Sequence, residues 1–200
     1  RQNTLKIMNA MKKIGKKYEI IIIEESTDMT PFLARELSKK YGEIRHFHFG
    51  KRLGKGRAIE QGVRRSRGEK IIFMDIDLAT DLSSLKHMAN ELDRYDIVVG
   101  SRYHPESKTS RTPFRIFLGK TYAFILRLLF RSRIRDYQCG FKGFRKSAAI
   151  KILSYTRTHG LFWDTEFLFL ARKLGFTLKE IPVSWEEKKG RSTKINLKLI

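Results

Sequence analysis

The chain lacks several features at once. It has one cysteine, Cys139, in 200 residues. That excludes an internal disulfide framework and any cysteine-rich zinc site, and it points to a reducing compartment. No stretch approaches the ~20 apolar residues of a membrane-spanning helix; the longest candidate, Tyr122–Phe130, is short and is interrupted by Arg127. Acidic charge is scarce, with 21 Asp+Glu against 42 Lys+Arg, formally +21. A surface enriched in ion pairs raises both signs together, so the excess predicts an anionic partner: nucleic acid, a phosphate-bearing substrate or an acidic membrane surface. There is no Gly-x-Ser-x-Gly elbow and no His-Glu-x-x-His pair, which leaves hydrolase chemistry without support. No signal peptide opens the chain, and it starts at Arg1 without a methionine, as a fragment or processed piece does.

What remains is enough for one ordinary domain, since 41% of the residues are hydrophobic. Helical spacing over residues 3–14 (Leu5, Ile7, Met8, Met11, Ile14) stops at Gly15. Tyr18–Ile23 is a β-branched run, and Pro31 opens a helix to Lys40. Ile44–Phe49 reads as a strand, Gly54–Arg67 as a helix and 70–74 as a strand; a helix near 82–92 and a strand at Asp96–Val99 follow. This alternation predicts an α/β domain with a mainly parallel sheet and helices on both faces. Residues 103–113 read as a polar, basic loop, 114–130 as an apolar segment studded with Arg115, Lys120 and Arg127, 162–174 as a helix and Thr177–Trp185 as a strand. The charged stretch 186–198 is expected to be mobile.

The densest chemistry lies at Ile71-Ile72-Phe73-Met74-Asp75-Ile76-Asp77. On an extended backbone the two aspartates leave the same face with Cα atoms roughly 6–7 Å apart. Carboxylates that close repel unless a cation joins them, and a hard divalent ion at the carboxyl edge of a sheet is well placed to hold a diphosphate. The plainer alternative is a helix cap at Asp77. Gly50-Lys-Arg-Leu-Gly-Lys-Gly-Arg57 suits a phosphate at a helix start, although it fits neither the P-loop nor the G-x-G-x-x-G pattern. Glu24-Glu25-Ser26-Thr27-Asp28 offers acceptors for a base or ribose, or caps for the next helix. Gly100-Ser101-Arg102 puts an arginine at the same edge. His46 and His48 alternate along a strand; with no acidic or cysteine partner near them in sequence, a paired surface strand is the better reading than a chelate. Cys139 reads as packing.

Taken in order, these pieces are joined by Asp136-Tyr-Gln-Cys-Gly-Phe-Lys-Gly-Phe-Arg145, Trp163-Asp164-Thr-Glu166 and Ile181-Pro-Val-Ser-Trp185. Together they resemble the family 2 inverting glycosyltransferases with the GT-A nucleotide-diphospho-sugar fold. The similarity is greatest to dolichyl-phosphate glucosyltransferases and next to dolichyl-phosphate mannose synthases. It covers residues 3–190 and implies a single catalytic domain over 1–190, a tail at 191–200, and absence of the family's first strand. The usual Asp-Asp-Gly-Ser is here Glu24-Glu25-Ser26-Thr27.

The resemblance implies transfer of a hexose, with inversion, from a nucleotide diphosphate sugar (UDP-glucose, alternatively GDP-mannose) to a polyprenyl or dolichyl phosphate. Asp75 and Asp77 would hold Mg²⁺ or Mn²⁺, Glu24 or Glu25 the base, and Lys55 the nucleotide side. Arg102 with Arg111 or Arg115 would grip the acceptor phosphate. Asp136, Asp164 and Glu166 fall on the acceptor side, where orienting those arginines is their expected role. Lys120, Arg127 and Arg131 share one helical face, which suits a helix in an anionic headgroup layer on the cytoplasmic face of a membrane. An ordinary core helix is the alternative. Two rivals stand beside this account. One is a basic nucleic-acid-binding domain, disfavoured because the cations are spread and no binding motif is present, so no specific nucleic-acid partner is expected. The other is a glycosyltransferase acting on a soluble sugar.

Overall fold

The computed structural model describes residues 2–160 and 162–187. In chain order these form α1 (Gln2–Ile14), β1 (Ile20–Glu24), α2 (Thr30–Lys40), β2 (Ile44–His48), α3 (Lys55–Arg65), β3 (Lys70–Met74), α4 (Ser84–Glu91) and β4 (Ile97–Ser101). After these come β5 (Lys108–Ser110), α5 (Pro113–Phe130), β6 (Phe141–Arg145), α6 (Lys146–Leu153), α7 (Trp163–Lys173), β7 (Leu178–Pro182) and β8 (Ser184–Glu186).

Alternation along the strands builds two cores, one on each face of a four-stranded sheet ordered β3-β6-β4-β7. Ile71, Phe73, Ile97, Val99 and Phe144 face α3, α5, α6 and α7, where Val63, Leu126, Ile152 and Phe167 complete the packing. Ile72, Met74, Val98, Phe141 and Ile181 face α4 and the end of α1, through Leu85, Met88, Met11 and Ile14. A third cluster of Met8, Leu37 and Ile44 holds α1 and α2 against the separate parallel pair β1-β2.

Three of the five strand pairings are parallel: β1–β2, β4–β7 and β5–β8. The antiparallel ones both involve β6, which runs between β3 and β4. The sequence reading missed β6 because Gly140 and Gly143 broke its pattern. Gly143 is needed there: a Cβ would stand 2.9 Å from Leu92 Cδ1 of the loop after α4. The single strand expected over Thr177–Trp185 is two. Pro182 ends β7, and Val183 then bonds sideways, its N–H to Ser107 Oγ at 3.0 Å and its carbonyl to the Lys108 N–H at 3.1 Å. The loop expected over 103–113 accordingly contains β5. Glu186 belongs to β8 rather than to a mobile tail; residues 188–200 lie outside those described.

β1 and β3 are not hydrogen-bonded to each other, and each has one partner strand among the described residues. Both are nonetheless covered by the same helices. α1 gives Met8 to the β1 side and Met11 and Ile14 to the β3 side. α3 packs Val63 against Ile71 and Phe73, while Gly62 lies beside Ile23. The four isoleucines of β1 are only half-buried, whereas every residue of β4 is buried.

Candidate active site

The carboxyl ends of β1, β2, β3 and β4 bring the sequence-predicted residues to one edge. β3 stops at Met74, and the chain turns at once: the Leu78 N–H reaches the Asp75 carbonyl at 3.2 Å, with Leu78 at φ 51°. The extended geometry expected through Asp77 therefore does not hold. Asp75 continues the strand direction, and Asp77 reaches the site through a turn, with exposed Ile76 between two half-buried acids. Asp75 is seated on the backbone of the loop before β6. Its N–H bonds to the Gly140 carbonyl at 3.1 Å, and a Cβ on Gly140 would come 2.0 Å from Asp75 Oδ2.

Beneath that seat lies a buried charge triad. Lys142, on β6 and fully buried, donates from Nζ to the Cys139 carbonyl and to Asp164 Oδ1, each at 2.6 Å. The other oxygen of Asp164 takes Lys55, which opens α3 and also lies 5.3 Å from the Phe73 ring. Burial pushes the Asp164 carboxyl up, but Lys142 and Lys55 outweigh it and hold the group below its usual range. Two lysines on one carboxylate leave a net positive charge between the glycine loop and the Asp75 turn. The loop is pinned from the same side. Gly54 has φ 76°, and Gly56 fits only because a Cβ would collide with the buried Trp163 ring, 2.3 Å from Cδ1.

Neither glutamate of the 24–25 pair points idly into solvent. Glu25 Oε2 accepts from the Leu53 and Gly54 N–H groups and so fixes the glycine loop. Glu24 Oε1 lies 2.9 Å from His46 Nε2 and 2.7 Å from His48 Nδ1. The acidic partner those histidines seemed to lack is supplied by the neighbouring strand. A cleft of about 420 Å³ opens here, lined by Glu25, Ser26, Asp28, Pro31, His48 and Phe49.

The arginines collect at β8. Arg102 forks onto Asp136, with Nε to Oδ2 at 2.7 Å and Nη2 to Oδ1 at 2.8 Å. Burial opposes its charge, but Asp136 prevails and raises its affinity for the proton. Arg111 donates to the Tyr103 hydroxyl at 2.7 Å and stands 5.4 Å from the Trp185 ring, with Arg102 5.7 Å from the same ring. The Arg111 Nε is buried without a hydrogen-bond partner among the described residues. Arg115 pairs with Glu187. β8 also binds the turn after Asp77: Thr80 bridges to Trp185, Asp81 N–H donates to the Ser184 carbonyl at 2.8 Å and Glu186 N–H to the Ala79 carbonyl at 2.9 Å. A second cleft, of about 400 Å³, runs along this seam past Leu78, Asp81, Lys108 and Trp185.

Of the three acids expected to orient arginines, Asp136 does. Asp164 orients lysines instead. Glu166 accepts from Arg157 N–H and from the N–H and hydroxyl of Thr158, bracing the loop before α7. Sequence reasoning quoted Lys142 and Trp185 within motifs without giving them a role. A lysine amid Gly-Phe-Lys-Gly-Phe carries no sign of full burial, and Trp185 gathers its partners only through β8. Cys139 packs as expected, its thiol pushed up to about 11 by burial. Among the described residues, no group of three or more His, Cys, Asp or Glu side chains converges as a metal site. Asp75 and Asp77 thus offer two hard oxygen donors, in keeping with an ion that retains water and takes ligands from a phosphate.

α5 lies beside the arginines, with Tyr103 packed where a Cβ on Gly119 would sit. Only Ala123 and Leu126 of α5 are buried. Phe114, Phe117, Phe124, Leu128 and Leu129 are each about two-thirds exposed or more, between 64% and 72%. This is not a core helix. No helix among the described residues is long and apolar enough to cross a membrane.

Comparison with known proteins agrees with this architecture. The model of glycosyl transferase family 2 matches residues 2–153. The human dolichyl-phosphate beta-glucosyltransferase is 36% identical over 185 residues, covering 86% of this chain and 57% of that protein. The glycosyltransferase AglD of Haloferax volcanii is 37% identical over 183 residues, covering 90% and 29%. The chain therefore spans about half the length, or less, of these relatives. Among solved structures, glucosyl-3-phosphoglycerate synthase of Mycobacterium tuberculosis with uridine diphosphate superposes with a TM-score of 0.65 at 15% identity, over 86% of this chain and 61% of that one. The same enzyme has been crystallised with Mn²⁺ and UDP-glucose, with a TM-score of 0.63 at 12% identity, over 94% and 76%. The motifs, the α/β fold and the family match agree, and the chain belongs to glycosyl transferase family 2.

Proposed function

We propose that this chain is the catalytic part of an enzyme that transfers a hexose, glucose for preference, from a nucleotide diphosphate sugar to a polyprenyl phosphate at a membrane surface. The observation that carries the reading is the seam at β8. It ties the Asp75–Asp77 turn, suited to a diphosphate, to Arg102, Arg111 and Arg115, suited to a second phosphate. Donor and acceptor anions would meet there.

In this reading an oxygen of the acceptor phosphate attacks the anomeric carbon from the face opposite the diphosphate. A C–O bond forms to the acceptor, the C–O bond to the leaving phosphate breaks with its electron pair, and the configuration inverts. The phosphate is already an anion, so no strong general base is required; positioning and charge screening are the harder tasks. Asp75 and Asp77 would hold a divalent cation, Mg²⁺ or Mn²⁺, which when bound offsets the charge on the leaving diphosphate. Lys55 lies at the start of α3, on the donor side. Arg102 is already spent on Asp136, so Arg111, with its unpartnered Nε, is the better grip for the acceptor, and Arg102 supplies charge and holds Trp185. Among the described residues β1 and β3 each pair with one strand, which leaves an edge of each for the further strand of the family's fold.

Gly140→Ala offers a direct check on Asp75. The added methyl displaces the carboxylate from its seat, and the transfer rate is expected to fall about a hundredfold with the sheet intact. Unchanged kinetics in that variant would remove Asp75 from the donor site. The α5 face predicts lipid binding: sedimentation with anionic vesicles, weakened by salt and lost in Phe117→Glu Leu128→Glu, against retention of full binding if the face is irrelevant. The overall reading is tested by presenting UDP-glucose and GDP-mannose, with Mg²⁺ or Mn²⁺, to a short polyprenyl phosphate. Turnover of a soluble oligosaccharide in place of the lipid phosphate would overturn it.

A further inference from the structure

The histidine pair at the cleft beside Glu24 has no part in the transfer itself. His46 and His48 are two apart on β2 and reach the same oxygen of Glu24 on the parallel neighbour β1. Burial pushes this carboxyl up, yet bonds from His46, the Ser26 N–H and His48 outweigh it and keep the group ionised. An ionised carboxylate only accepts hydrogen bonds, so both ring nitrogens that face it must donate. His46 therefore carries its proton on Nε2, and His48 carries one on Nδ1. In a neutral ring, a proton fixed on Nδ1 leaves a lone pair on Nε2.

The two rings differ in what that lone pair can meet. The His46 side chain is 6% exposed, whereas His48 is 39% exposed and lines the cleft with Glu25, Ser26 and Phe49. Among the described residues, Nε2 of His48 has no hydrogen-bond partner, its ring bonding through Nδ1 alone. The neighbouring Glu25 has Oε2 committed to the Leu53 and Gly54 N–H groups of the glycine loop.

We propose that His48 reads the donor's nucleobase, its Nε2 accepting the ring N–H that uracil carries at N3 and guanine at N1. This rests on the proposed donor site, with the base placed beside Glu24 and Glu25 as the family resemblance implies. Cytosine at N3 and adenine at N1 present lone pairs instead, so either would face the His48 lone pair with no proton between them. Glu24 acts as a positioning residue that sets the tautomer, and His46 holds Glu24 in place. The cleft thus takes uridine and guanosine diphosphates and rejects cytidine and adenosine diphosphates.

Titration calorimetry of the chain in Mg²⁺ with UDP, GDP, CDP and ADP decides the matter. UDP or GDP is expected to bind about tenfold to a hundredfold more tightly than CDP and ADP. In His48→Phe that ratio collapses towards one through weaker UDP or GDP binding, and His48→Asn, which keeps an acceptor oxygen, recovers part of it. Glu24→Gln, which no longer dictates the proton's place, lowers the ratio from both sides, weakening UDP or GDP binding and strengthening CDP binding. Equal affinity for all four in the parent protein, or selectivity that survives His48→Phe and His48→Ala, overturns the proposal alone. Failure of all four to bind overturns the donor-site reading with it.

Discussion

Asp164→Ala is expected to lower folding stability by about 3–5 kcal/mol, the scale for breaking a buried ion pair from one side. The reason is Lys142. Its ammonium is wholly buried, and without Asp164 it retains the Cys139 carbonyl as its hydrogen-bond partner. A charge left so must lose its proton or draw in water, and either is costly. Removing the other partner is milder: in Lys142→Met, Asp164 still holds Lys55. The double variant Asp164→Ala Lys142→Met should recover much of the loss, because no buried charge is stranded. The pH dependence has a definite sign. The folded-state pKa of Asp164 lies below its unfolded value, so its contribution is fully present above the unfolded value of about 3.9 and is lost as pH falls through the folded one. Urea unfolding of the three variants at neutral pH and in acid measures this directly. A single variant Asp164→Ala within 1 kcal/mol of the parent would mean that the triad is solvated and has no structural role.

Asp77→Ala should slow hexose transfer by about a hundredfold to a thousandfold, comparable to removing one preorganised group that stabilises developing charge. Its cost in stability should be small. Asp77 lies in the turn after β3, where its Oδ1 accepts the Ala79 N–H two residues on, at 3.2 Å. Because the effect is assigned to holding a cation, the variant should also need far more Mg²⁺ or Mn²⁺ to reach its residual rate. Initial rates measured across a metal titration separate this from a general loss of fold, with the melting temperature as control. Full activity with the parent's metal dependence would remove Asp77 from the donor site.

Much of the fold was legible because its elements announce themselves locally. α1, α2 and α3 show helical spacing with Gly15, Pro31 and Gly54 at their limits, and β1, β3 and β4 are β-branched or apolar runs. What failed did so where neighbours override local preference. β6 carries a lysine and a glycine, and it is a strand because β3 and β4 flank it on both sides. Asp77 was placed by extending a strand that in fact turns at Asp75. The candidate site divides the same way. Asp75, Asp77, Arg102 and Arg111 were named from order and residue type, and Asp136 was expected to orient an arginine, but Tyr103 and Trp185 were not expected as partners, since they meet the arginines across 8 to 83 residues of chain.

The amino-acid order alone determined the α/β alternation, the acidic pair at a strand end, the cationic excess and the family. Those are properties of neighbours in sequence, and periodicity and residue chemistry express them directly. Tertiary packing alone decided that Glu24 holds two histidines, that Glu25 ties down the glycine loop, and that Lys142 is sealed beneath the Asp75 seat. A carboxylate's role depends on which donors reach its two oxygens, and strands far apart in the chain supply those donors.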